Sequence, residues 1–215
     1  METVLVVVAH PDDEVLGCGG TMAKHGANGD KVHTLILADG FSARLGGASR
    51  HTNALRAAET LGGEPPQFLD LPDNRLDTLP LLNVVKLVEG VVETLKPTIV
   101  YTHHGGDLNV DHRITYQAVM TACRPLPGSS VTAIYSFEVA SSTELSLSQT
   151  FQPTHFVDID LYLETKLDAL ACYEDEMRCF PHSRSLRAVE ALAHWRGASV
   201  GVEAAESFEI LRQIA

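Results

Sequence analysis

The stretch Val4-Leu5-Val6-Val7-Val8-Ala9-His10-Pro11-Asp12-Asp13-Glu14 changes character within a single step. The apolar run Val4 to Ala9 is dominated by valine, which suits a pleated surface, and a continuous apolar run of this length reads as a strand buried on both faces. Pro11 ends it. Asp12 to Glu14 then open a helix, whose free N–H groups and dipole favour carboxylates in the first turn. His10 and the acids thus stand at the carboxyl end of a buried strand, where open α/β sheets bind their ligands.

Working outward, the alternation repeats. Val32 to Ala38 is a second apolar run, Arg50 to Leu61 a helix ended by Gly62-Gly63, and Gln67 to Leu71 a short strand. Leu79 to Leu95 carries a broad helical apolar stripe closed by Pro97, and Thr98 to Thr102 is another buried strand. Strands alternating with helices predict an α/β fold: a Rossmann-like, mostly parallel sheet flanked by helices, with right-handed crossovers. Beyond about Arg124 the pattern loosens. Pro125, Pro127 and Ser129-Ser130 mark a loop before Val131 to Phe137, and a Ser/Thr-rich stretch runs to Gln149. Phe156 to Ile159 reads as a strand, Leu161 to Tyr173 and Leu186 to Trp195 as helices, and Glu206 to Leu211 as an element of unassigned type. No repeat or charge block divides the chain, so residues 1–215 are read as a single domain with a less regular C-terminal extension.

The composition narrows the function. The 215 residues include 28 acids against 16 Lys plus Arg, a net charge of −12, so the long-range field repels phosphate backbones and anionic membrane surfaces. Nucleic acid is not an expected partner. The run Val4 to Ala9 is far shorter than a spanning helix or a signal-peptide core, so no membrane insertion is expected. Cys18, Cys123, Cys172 and Cys179 are irregularly spaced and contain no Cys-x-x-Cys, which argues against a thiolate zinc site and a disulfide framework and for a reducing, cytoplasmic location. Gly17, Gly19 and Gly20 match no phosphate-binding pattern and read as close helix–sheet packing.

A second polar group, His103-His104-Gly105-Gly106-Asp107-Leu108-Asn109-Val110-Asp111-His112-Arg113, follows the strand Thr98 to Thr102 directly. In the common doubly wound order strand one neighbours strand four at the point where winding reverses, so the two polar loops converge on one cleft. A stiff turn bearing a histidine and two carboxylates suits a metal such as zinc, which takes nitrogen and oxygen ligands.

These motifs, with Leu71-Pro72-Asp73-Asn74-Arg75 and Ala205-Glu206-Ser207-Phe208, make the chain resemble the LmbE/PIG-L family of zinc-dependent N-acetylglucosaminyl deacetylases. The resemblance implies that His10, Asp13 and His112 hold zinc, although imidazole and carboxylate also suit iron(II). It implies that Asp12 is the general base, that Arg50 contacts the sugar and that Asp73 meets sugar hydroxyls. It also suggests a homo-oligomer. Glu14 and Asp111 are expected to orient ligands from behind. The implied reaction removes an acetyl group from an N-acetylated amino sugar, a small-molecule substrate, through a water made acidic by the metal. The same site would serve an amidase acting on another N-acyl or thiol-conjugate substrate. A non-catalytic sugar- or nucleotide-binding module is the alternative from a different class.

One departure stands out. Many family members carry a histidine three residues before the zinc-binding histidine, where this chain has Asn109, an uncharged donor. His182, in Phe180-Pro181-His182-Ser183-Arg184-Ser185, is the first candidate to replace it. The remaining seven histidines, His103 and His104 included, carry no stronger claim than solvation or packing.

Overall fold

The computed structural model describes residues 1–43, 49–146 and 149–214. Seven strands form one sheet: Thr3–Val8 (β1), Lys31–Ala38 (β2), Gln67–Leu71 (β3), Ile99–His103 (β4), Ala133–Phe137 (β5), His155–Asp158 (β6) and Ala205–Gln213 (β7). Their order is β3-β2-β1-β4-β5-β7-β6. The first five strands are parallel, with Val4 opposite both Val32 and Ile99, while β7 runs antiparallel between β5 and β6. Winding therefore reverses between β1 and β4, as the two motifs require.

The strand period of two divides the core. Val4, Val6 and Val8 pack on one face, against Asp13–Ala27 (α1), His51–Thr60 (α2) and Leu163–Ala171 (α5). Leu5 and Val7 pack on the other, against Leu81–Leu95 (α3) and Val110–Ala122 (α4). The last helix, Leu186–Ala198 (α6), lies against β7. The glycines of α1 allow its close approach: a Cβ on Gly17 would stand 2.3 Å from the Phe137 ring, and one on Gly20 would stand 2.8 Å from Ile159.

Two elements differ from the sequence reading. The helix α4 has no counterpart there, because its first turn is polar and its apolar stripe weak. Its start signal is Asn109, whose Oδ1 accepts the Asp111 N–H at 2.8 Å as a helix cap. The unassigned segment around Glu206 is strand β7, so the C-terminal part completes the sheet. That strand also shapes α1, which is broken at Cys18 (φ −149°, ψ 25°). Below the break the Glu206 carboxylate accepts the N–H groups of Gly20 and Thr21 at 3.0 and 2.7 Å, and Lys166 pairs with it at 2.6 Å. The second half of the helix thereby receives a buried cap from a distant strand.

Candidate metal centre and active site

The turn after β1 is built around a strained residue. Asp12 precedes α1 with φ 116° and ψ −29°, a region that a non-glycine residue occupies only when its surroundings hold it there. Its side chain makes no helix-cap bond, so helix capping does not account for this carboxylate. Instead Oδ2 lies 3.3 Å from the guanidinium groups of both Arg50 and Arg184. Glu176 bridges the two arginines from behind, at 3.3 and 3.7 Å. Burial and the neighbouring Asp13 carboxylate push the Asp12 carboxyl up to about 6, against the pull of the arginines.

Beside it, Asp13 Oδ2 is a hub. It accepts the His10 backbone N–H at 2.9 Å and lies 3.2 Å from both His10 Nδ1 and His112 Nε2. These three buried side chains offer ligand atoms within 4.8 Å of one another. Burial opposes ionisation of Asp13, yet the two imidazoles hold it well below the ordinary carboxylate range. His112 moves the other way: burial opposes its protonation, but Asp13 and Asp107 push it up to about 9.

Each imidazole is held at its far nitrogen by carboxylates. His112 Nδ1 lies 3.2 Å from Asp107 Oδ1, and Asp107 Oδ2 accepts the hydroxyls of Ser142 and Thr143 at 3.0 and 2.6 Å. His10 Nε2 lies 3.2 Å from Asp111 Oδ2 and from Asp73 Oδ1. Asp111 is fixed in turn, its two oxygens accepting the N–H groups of Asn74 and Leu76 at 2.7 and 3.0 Å. Such outer carboxylates set the tautomer and direction of a ligating imidazole. Here they leave His10 Nδ1 and His112 Nε2 facing Asp13. Two nitrogens and one carboxylate oxygen, with a cleft beside them, are the donor set of an open zinc-type site. A second group, His10 with Asp73 and Asp111, is also close enough to hold an ion, but it uses the nitrogen and oxygens already engaged in orienting His10.

The cleft itself has a volume of about 150 Å³. Of the side chains anticipated from sequence, His10, Asp12, Asp13, Arg50, Asp73, Asn109 and His112 line it. Asp73 touches His10 as well as the cleft, which adds an orienting contact to its expected place beside the substrate. Asn109 spends its Oδ1 on the α4 cap and leaves Nδ2 3.4 Å from Asn74 Oδ1. Glu14 and Asp111 stand behind. Glu14 accepts the Asp12 N–H at 3.1 Å and the Tyr173 hydroxyl at 2.5 Å, and burial raises its carboxyl to about 7.

His182 is different: it is exposed, lies outside the cleft, and accepts the Arg184 N–H at Nδ1. The expectation that it enters the site is corrected, because the turn at residues 182–185 directs Arg184 inward instead. Beside Asn74, the wall is completed from the C-terminal half by Val139, Ser141, Ser142, Glu176 and Arg184, and none of these five was singled out beforehand. All lie in irregular segments of the C-terminal half, where no period or local motif marks a residue as facing a cleft. Asp107 was more accessible to reasoning, as the acid five residues before a candidate ligand. His103 and His104, read as solvated or packed, are both fully buried. His104 Nδ1 meets Glu209 at 2.7 Å, and the His103 ring lies against His112.

The chain is similar to known proteins in sequence and in fold. Residues 5–123 match the family model PIG-L, GlcNAc-PI de-N-acetylase, and the chain belongs to that family. An Escherichia coli (strain K12) protein described as the uncharacterized deacetylase YaiS is 30% identical over 172 residues, 78% of this chain and 88% of that one. Diacetylchitobiose deacetylase of Thermococcus kodakarensis is 30% identical over 194 residues, covering 82% of this chain and 70% of its own. Among solved structures, GalB of Pseudomonas putida KT2440, a 4-carboxy-2-hydroxymuconate hydratase, superposes with a TM-score of 0.79 at 23% identity, covering 100% and 98% of the two chains. One fold thus carries both deacetylation and hydration, so the residues of the site have to decide the chemistry. Among the described residues no helix is long and apolar enough to cross a membrane.

Proposed function

We propose that the protein is a zinc-dependent deacetylase of an N-acetylated amino sugar of the N-acetylglucosamine type, free or conjugated. The observation that carries the reading is the buried convergence of His10, Asp13 and His112 beside a strained, non-capping Asp12. The sugar class comes from the family and from the diacetylchitobiose deacetylase relative.

His10, Asp13 and His112 would hold a divalent cation, which when bound would supply Lewis acidity toward water and the amide carbonyl. Asp12 takes a proton from the attacking water as the new C–O bond forms. The same carboxyl then gives that proton to the leaving nitrogen as the C–N bond breaks, so the products are acetate and a free amine. Arg50 and Arg184, both against Oδ2, fix the direction of this carboxylate and keep it ionised at neutral pH. Asn109 Nδ2, an uncharged donor, and Asp73 address the carbonyl and hydroxyls of the bound sugar. We further propose a homo-oligomer, which light scattering of the purified protein tests, and a cytoplasmic location, which cell fractionation tests.

The deciding experiment is a screen of N-acetylated sugars, their conjugates and non-sugar amides, read as free amine, with and without chelation. The reading predicts amine release from N-acetylglucosamine derivatives that stops on chelation and returns with zinc. Release confined to non-sugar amides, or indifferent to chelation, overturns it.

A further inference from the structure

We infer that His103 is a positioning residue of the metal centre, whose ring fixes the end of β1 and the His112 imidazole relative to each other. The inference rests on His10, Asp13 and His112 being the ligand set.

His103 closes β4 and is fully buried. Its Nε2 lies 2.9 Å from the Ala9 nitrogen, within hydrogen-bond reach, and 3.5 Å from Asp13 Oδ2. A backbone amide only donates, so this Nε2 carries a lone pair and the ring proton sits on Nδ1. The backbone pairing of β1 with β4 extends from Val4 opposite Ile99 to Val6 opposite Tyr101. The His103 ring therefore carries the connection between the two strands past that ladder, to the residue directly before His10. The same ring lies nearly parallel to His112, with centroids 3.9 Å apart and planes at 18°. Phe137 meets it edge-on at 5.1 Å. One side chain thus touches both imidazole-bearing segments of the centre, one through a directional bond and the other through a ring face.

Packing alone does not explain an imidazole here. Among the described residues, Nδ1 is buried with no hydrogen-bond partner. A phenylalanine would fill this space without burying an unmatched N–H, a cost native cores avoid. What phenylalanine lacks is the acceptor for Ala9, and what a non-ring acceptor lacks is the face against His112. Imidazole supplies both.

The test compares His103→Phe, which keeps the ring, with His103→Gln, which keeps an acceptor. Zinc affinity is read by competition with a chromophoric chelator, and site geometry by the visible spectrum of the cobalt(II)-loaded protein. We expect zinc binding to weaken about 10–100-fold in His103→Phe, as for other residues that orient ligands. A loss of about tenfold is expected in His103→Gln, with altered cobalt bands in both. Zinc affinity within twofold of the parent and unchanged cobalt bands in both variants overturn the inference, and should only His103→Gln fold, those values in it alone do so. His112→Ala separates the two layers: parental zinc affinity there overturns the ligand set itself.

Discussion

The two halves of the cleft are built differently. The metal-facing half is made of residues at the ends of β1 and β4 and in the first turns of α1 and α4, all buried, each held by a carboxylate or a backbone amide. The facing wall comes from segments between regular elements: Arg50 before α2, Ser141 and Ser142 after β5, Glu176 and Arg184 after α5. A ligand set must be held to fractions of an ångström and so belongs on rigid elements. A wall that meets a variable substrate is free to sit on loops, where sequence change costs the core little. The shared fold of a deacetylase and a hydratase fits this division, in which chemistry follows a few side chains on a common frame.

If the comparison holds, substitutions on the metal side should cost far more than those on the wall. The largest effect is expected from His10→Ala and His112→Ala: loss of stoichiometric zinc, measured by elemental analysis, with deacetylation at background. Next, Asp12→Asn should keep its zinc yet lose about 10²–10⁴ in kcat, the range of general acid–base catalysis. Loss of zinc in that variant would place Asp12 among the ligands.

Asp107→Asn should weaken zinc about 10–100-fold by loosening His112, with little effect on KM once zinc is saturating. Zinc affinity should also rise with pH. Protons must leave the imidazoles for a metal to bind, and neighbouring carboxylates hold one on His112 up to about 9 and raise His10 as well, so affinity should climb about tenfold per pH unit for each imidazole still protonated, with proton release visible by calorimetry. A flat profile from pH 6 to 9 would show that the imidazoles are not protonated in the metal-free protein. On the wall, Arg184→Ala should cost about tenfold in kcat/KM without touching zinc content, in the range of one lost charge-assisted contact. His182→Ala should leave both within twofold. The reverse order would make His182 the functional member of that loop.

What sequence made legible follows the same division. The first motif could be read because strand, turn and helix start lie within a dozen residues, and β-branched periodicity announces the strand. His112 could be paired with His10 because strand order in doubly wound sheets is a strong rule, and the observed β1–β4 adjacency obeys it. The cap that creates α4 was visible in Asn109 but overlooked beside a polar first turn. Glu176 and Arg184 are illegible for a deeper reason: Arg184 reaches Asp12, and Glu176 reaches Arg50, across more than 120 residues of chain, through a loop that only tertiary packing directs. The same distance put His182 in the wrong place, since residues two apart in a turn point in different directions.

The most direct test of the central claim, that one ion held by His10, Asp13 and His112 works with Asp12, is a zinc titration of chelator-stripped protein followed as amine release from an N-acetylglucosamine derivative. Activity should rise linearly and level off at one equivalent per chain in the parent, while Asp12→Asn takes up the same equivalent without recovering activity. Full activity before any zinc is added, or no recovery after one equivalent, would contradict it.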